Sequence, residues 1–136
     1  MSVDRVGLVK RGYAAWNHGD RSWVLDHMSE DVVWVTPPED PDPATYTGHD
    51  QVVRYWEQWR ASVGKLEFKP TEFLDAGDHV VVTAERKGKG ETSGLEVTDR
   101  VTQVFTFEGD KCVSVHEHYD RDKALRDIGA EELAEQ

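Results

Sequence analysis

The sequence predicts an α+β fold, with helices packed on an antiparallel β-sheet and one more helix at the C-terminal end. Three observations carry this reading. Up to Gly64 most apolar residues recur at helical spacing, and beyond it they alternate with period two. Short turns at Gly77-Asp78 and Gly109-Asp110 join the later segments as hairpins, so those strands run antiparallel. No helical segment separates them, which excludes a doubly wound parallel sheet.

Each element follows in order. Val6, Val9, Tyr13 and Trp16 share one face of a first helix, which Asn17-His18-Gly19-Asp20 ends with Gly19 as its C-terminal cap. A short second helix runs from Arg21 to about Met28, and the β-branched and aromatic run Val32 to Thr36 is a strand. Pro37-Pro38-Glu39-Asp40-Pro41-Asp42-Pro43 is a stiff acidic loop, because proline supplies no ladder donor and breaks a helix. Thr47-Gly48-His49-Asp50 reads as a capping box with the shorter acid. The helix it opens carries Val52, Trp56, Trp59 and Val63 on one stripe and stops at Gly64. Leu66 and Phe68 alternate, and Phe73 resumes on the other parity, which predicts a bulge at Pro70. Strands follow at His79 to Lys87, Val97 to Glu108 and Lys111 to Asp120, then an amphipathic helix over 121–133.

Length and charge exclude whole classes of function. At 136 residues one domain is expected, large enough for a core and a small pocket. Sixteen basic against twenty-seven acidic residues leave a net charge of −11, the wrong sign for a nucleic-acid partner or an anionic membrane surface. The densest basic run is only Arg86-Lys87-Gly88-Lys89. Cys112 is the single cysteine, so no intrachain disulfide forms and zinc patterns built on paired cysteines are absent. Neither a membrane span nor a signal peptide is evident, so a soluble cytoplasmic protein is expected. Five Trp in so short a chain suggest a wide aromatic pocket or an interface.

Alternation places polar groups on the inner face. Val113 and Val115 define that face of the last strand, and Glu117 and Tyr119 continue it, with Cys112, Ser114, His116 and His118 opposite. On the preceding strand Val97, Val101, Phe105 and Phe107 define the same face, and Asp99 and Gln103 share it. Both sets face inward together only if the hairpin loop is odd-numbered, as Gly109-Asp110-Lys111 would be, or if a bulge intervenes. Gln103 then sits across from Glu117. A carboxylate in apolar surroundings is costly; desolvation raises a carboxyl pKa, and such groups can exchange protons near neutral pH. The plainer reading is a hydrogen-bonded core Glu or a strand end that reaches solvent.

Other features carry less. His116, His118 and Asp120 share one face, but three groups along one extended strand span too far to close on one ion unassisted, so a polar outer face or a dimer interface is expected and no metal. Cys112, read as outward, is not a nucleophile. The strand from His79 is apolar on both parities near its start, so alternation assigns no face to Glu85.

Tyr13-Ala14-Ala15-Trp16-Asn17-His18-Gly19-Asp20, Asp31-Val32-Val33-Trp34, Thr47-Gly48 and the hairpin from Val104 to Val113 together resemble the nuclear transport factor 2-like superfamily. Within it the chain resembles the SnoaL-like polyketide cyclase and ketosteroid isomerase-like branch, over about Val6 to Gly129. The resemblance implies one such domain over 1–136: a cone-shaped curved sheet around an apolar cavity, in a homodimer formed through the sheet's outer face. SnoaL-like cyclases carry an acid/base on the final strand and a His on the strand before it, positions that fall on Glu117 and Gln103 here. Gln103 can donate a hydrogen bond but cannot take a proton. The ketosteroid isomerase set fits less well: its base falls near Thr36, its Tyr near Gly12, one place before Tyr13, and its protonated Asp near Gln103. Of the limonene epoxide hydrolase set, Asp99 and Arg100 fall on opposite faces.

The expected function is general acid–base chemistry on an apolar cyclic carbonyl compound without a cofactor. Glu117 is the expected acid or base, and Gln103 and Tyr13 the donors to an enolate oxygen. Trp16, Trp34, Thr36, Trp56, Trp59, Asp99, Phe105 and Tyr119 are the expected substrate contacts, with the 37–46 loop at the mouth. The alternatives are a non-catalytic module that binds a small apolar or aromatic ligand and a purely structural dimer.

Overall fold

A computed structural model describes residues 4–90, 94 and 96–135. The first helix, α1 (Arg5–Asn17), starts where Asp4 accepts a hydrogen bond from the Gly7 amide and buries Val9 and Tyr13. The second, α2 (Arg21–Asp26), is capped in the same way by Asp20. It ends sooner than its apolar residues suggested, because Met28 opens strand β1 (Met28–Val35) and pairs with Cys112. A short strand missed in the sequence, β2 (Thr45–Thr47), precedes α3 (Gly48–Val63). Its pairing with β1 holds Thr47 extended, so the expected capping box does not form; the Gln51 side chain instead accepts from the Thr47 amide.

Four strands follow: β3 (Glu67–Ala76), β4 (His79–Lys89), β5 (Glu96–Glu108) and β6 (Lys111–His118). The sheet order is β2-β1-β6-β5-β4-β3, antiparallel throughout except for the parallel pair β1 and β6. It forms a six-strand curled, unclosed sheet with helices, the cone architecture expected. The terminal helix is two pieces, α4 (Arg121–Asp127) and a 3-10 turn at Glu131–Glu135, broken where Gly129 takes a φ of 71°.

Two bulges set which residues face the hollow. The pairing of β3 with β4 skips Thr71, so Phe68 and Phe73, of opposite parity, both pack inward, as the parity change at Pro70 predicted. In the β5–β6 hairpin Glu108 pairs with Lys111, leaving a two-residue turn, and the extra residue is Val113. Beyond that bulge Val115 and Glu117 keep their expected face and Gln103 pairs with Glu117. Before it the parity is reversed: Cys112 faces the core and Val113 does not, contrary to the alternation read from the sequence.

The inner core joins Val9, Tyr13, Val32, Trp34, Val52, Trp56, Val80 and Val82. A second cluster lies on the opposite side of the sheet, where Leu74, Val81 and Val104 meet Ala124, Leu125 and Ala130. Thus α4 covers part of the outer face that was expected to pair with a second copy. His118 is buried there, with Asp127 at 3.9 Å, and Asp120 accepts from the Lys123 amide as the α4 cap. His116 is exposed, so these three side chains serve different surroundings. Among the described residues no three His, Cys, Asp or Glu could hold a metal ion, and no helix is long and apolar enough to cross a membrane. Glu85 is exposed.

Candidate functional site

The curl of the sheet and the three N-terminal helices leave an apolar cavity of about 820 Å³, counted out to its open mouth. Each element supplies wall residues through its own periodicity. From α1 come Tyr13 and Trp16, one helical turn apart, and from α3 Tyr55, Trp56 and Trp59. The strands supply Trp34, Phe68, Arg86, Gln103, Phe105, Phe107, Cys112 and Glu117 from their inward faces. Trp56 packs edge-on against both Trp16 and Trp34, with ring centroids 5.0 and 5.9 Å away. Its indole N–H is buried without a partner.

Glu117 is 2 % exposed and sits at the centre of a hydrogen-bond network. Its Oε1 accepts from Trp34 Nε1 at 2.9 Å and from the Tyr55 hydroxyl at 2.8 Å, and its Oε2 from Gln103 Nε2 at 3.0 Å. All three donors are neutral. The Gln103 amide oxygen in turn accepts from the Tyr13 hydroxyl at 2.5 Å. The Gln103 side chain is thereby oriented from both ends, and Tyr13 acts through it rather than as a free donor.

Electrostatics sort the cavity's titratable groups. Burial, then the charge of Glu117, pushes the Tyr13 phenol well above its ordinary range. The same two causes raise Tyr55, against weaker opposition from Trp59 and Arg86. Burial lifts the Cys112 thiol to about 12. These three groups stay protonated at neutral pH. His27 stacks on Trp23 at 3.8 Å, with Nδ1 2.8 Å from the Trp23 carbonyl oxygen. Arg86 is 1 % exposed, and burial disfavours its charge. A bidentate bond to Asp99 at 2.9 and 2.7 Å, with the nearby Glu117 charge, outweighs that and keeps it firmly protonated.

A sheet curled around a cavity with an acid on its last strand can be set against known families. The model of the SnoaL-like domain matches residues 9–115. The chain belongs to the SnoaL-like family. No curated protein matches the sequence. Among solved structures, this SnoaL-like domain is similar to an NTF2-like protein of unknown function from Burkholderia pseudomallei K96243. That match has 25 % identity and a TM-score of 0.75, and covers 94 % of this chain and 99 % of the other. It is similar to TerC co-crystallised with polyporic acid (23 %, TM-score 0.73, 91 % and 96 % covered). A protein of ketosteroid isomerase-like fold from Catenulispora acidiphila, in complex with trimethylamine, also matches (19 %, TM-score 0.70, 93 % and 92 % covered).

The SnoaL-like domain brings Tyr13, Trp16, Trp34, Trp56, Trp59, Gln103, Phe105 and Glu117 to one cavity. Three other expected contacts lie off its wall. Thr36 stands just beyond β1, where its hydroxyl donates to the Ala44 carbonyl at 3.1 Å and accepts from the Ala44 amide at 2.7 Å, closing the proline-rich loop. Asp99 is spent on Arg86. Tyr119 lies past the end of β6, is 40 % exposed, and donates to Asp40 of the loop at 2.8 Å. Sequence reasoning missed Tyr55, His27 and Arg86. Tyr55 lies three residues after Val52 and four before Trp59, so the helical stripe contained the signal. Arg86 continues the parity of Val80, Val82 and Ala84, but Val81 and Thr83 masked it. His27 carried no pattern signal.

Proposed function

We propose that this SnoaL-like domain is a small-molecule enzyme that moves a proton α to a carbonyl group of an apolar, cyclic compound. The observation that carries this reading is Glu117: a carboxylate on the wall of an apolar aromatic cavity, held by three neutral donors. As general base, Glu117 takes the α-proton, the C–H electron pair moves into the C=C bond, and the carbonyl oxygen becomes an enolate oxygen. Gln103 donates its second N–H to that oxygen, and Tyr13 fixes the amide for the task. Protonated Glu117 then returns the proton to carbon. The neighbours that hold polyporic acid and trimethylamine support a small ligand in a cavity of this type. A cytoplasmic homodimer, formed through the outer-face strip that α4 leaves open, belongs to the same reading. A solution mass twice the 15.5 kDa of the chain would support it.

The test is α-hydrogen exchange in D2O, followed by NMR on a panel of cyclic ketones with fused aromatic rings. The wild-type chain should accelerate exchange of at least one member. Glu117→Gln should lower the rate by roughly a hundredfold or more. That variant should fold, because Gln103 can flip to accept from the new amide. Undiminished exchange in Glu117→Gln would refute the assignment. Binding without exchange in the wild type would favour the alternative, a ligand-binding module.

A further inference from the structure

Beside the apolar cavity lies an outer chamber of about 680 Å³, counted out to open solvent, that shares the wall residues Trp16, Trp56, Trp59 and Leu66 with it. The remaining wall of this chamber carries Arg21, Arg60 and Lys65 and no carboxylate. Three cations on one chamber wall are unexpected on a chain of net charge −11. Among the described residues neither Arg21 nor Arg60 has a carboxylate within ion-pair distance. Asp20, beside Arg21, turns one oxygen, Oδ1, to the Ser22 hydroxyl and the Trp23 amide. Lys65 reaches Glu67 only at 3.8 Å, with both side chains more than half exposed, which leaves its charge weakly compensated. The Arg21 guanidinium lies 5.8 Å from the Trp16 ring centroid, so the cation borders the aromatic wall directly.

We infer that the ligand of this site is an amphiphile: a flat apolar body that packs on the aromatic wall, and an acidic oxygen group that stays in the outer chamber against Arg21 and Arg60. The chemistry is that of a carboxylate or a phosphate ester, which a guanidinium fork grips with paired N–H donors. The two compartments require this polarity. An anion cannot lie beside the Glu117 carboxylate in the apolar interior, whereas a cleft edged by one sign of charge concentrates ligands of the opposite sign. The charged group therefore sets which end of the ligand leads, and presents the uncharged end to Glu117. This inference rests on the cavity being the ligand site and does not depend on Glu117 being the base.

Three matched probes test it through quenching of the intrinsic Trp fluorescence at low salt: 2-naphthamide, 2-naphthoate and 2-naphthyl phosphate. At least one of the two anionic probes should bind roughly five- to tenfold more tightly than the neutral amide. The tighter of the two identifies the acidic group. The preference should shrink with added salt and vanish in Arg21→Gln/Arg60→Gln, whose amide affinity and melting temperature should stay near those of the wild type. It should persist in Glu117→Gln. Equal affinities for all three probes, or a preference that survives Arg21→Gln/Arg60→Gln, would overturn the inference while leaving the proposed chemistry standing. Failure of every probe to bind would overturn both.

Discussion

The chain Tyr13–Gln103–Glu117 makes a quantitative claim that a double-mutant cycle can test. Gln103→Leu removes the acceptor of the Tyr13 hydroxyl and one of the three donors to Glu117. All three side chains are buried, at 7 %, 2 % and 2 % exposure, so bulk water compensates the lost partners poorly. A buried polar group left unpaired costs about 1–3 kcal/mol, and more when charged, so Gln103→Leu should destabilise the fold by about 3–5 kcal/mol. Tyr13→Phe removes only the hydroxyl and leaves the Gln103 carbonyl oxygen without its donor, at about 1–2 kcal/mol. In Tyr13→Phe/Gln103→Leu both ends of that bond are gone, and only the loss at Glu117 remains, about 2–3 kcal/mol. The single costs should therefore together exceed the double by about 2–4 kcal/mol. Urea unfolding followed by Trp fluorescence measures all four proteins, and equal m-values would show that the unfolded state is unchanged. Additivity within about 0.5 kcal/mol would mean that the Tyr13–Gln103 bond does not exist and that Gln103 is not oriented from both ends.

Two further outcomes follow from the same surroundings. Burial lifts Cys112 from 9.0 to about 12 in the folded protein, so between those values the unfolded chain releases a proton that the native state keeps. Stability should fall as pH rises through that window, by at most about 1.4 kcal/mol per pH unit for this group, and the raised Tyr13 and Tyr55 add to the loss above pH 10. Melting temperature against pH should decline less steeply between pH 9 and 10 in Cys112→Ala; identical slopes would remove Cys112 from the account. Gly64 has φ 68° and ψ −146°, a region open essentially to glycine alone, and an added Cβ would lie 2.4 Å from the Lys89 carbonyl oxygen. Gly64→Ala should cost about 3 kcal/mol by calorimetry and Gly77→Ala, where φ is 74° in open space, about 1 kcal/mol; equal losses would contradict the contact.

Much of the site was legible because strand alternation is a local property. Glu117 and Gln103 could be paired from the apolar pattern alone, since only one relative parity buries both strands' hydrophobic sets. The same pattern could not say whether a three-residue loop or a bulge supplied the parity change. The bulge fell at Val113, so the residues before it turned over and Cys112 entered the cavity. Alternation also carried Tyr119 inward, but β6 ends at His118, and the hydrogen bond to Asp40 draws Tyr119 to the loop.

By itself, the sequence determined the order of the helices and of every strand but β2, the bulge near Pro70, the aromatic stripe and the acid at Glu117. Each of these depends on the spacing of neighbouring residues and on how many apolar groups must leave water. The tertiary structure alone decided which partners that acid would have. Tyr55 and Trp34 reach one carboxylate oxygen from a helix and a strand that touch only because the sheet curls around α3. Arg86 meets Asp99 only in the register that β4 and β5 adopt. It also decided that Arg21 would share a chamber with Arg60 and Lys65 at the end of α3, some forty residues further along the chain. Hydrogen bonds and charge pairs act over a few ångströms, and the sequence distance between their partners carries no record of that proximity.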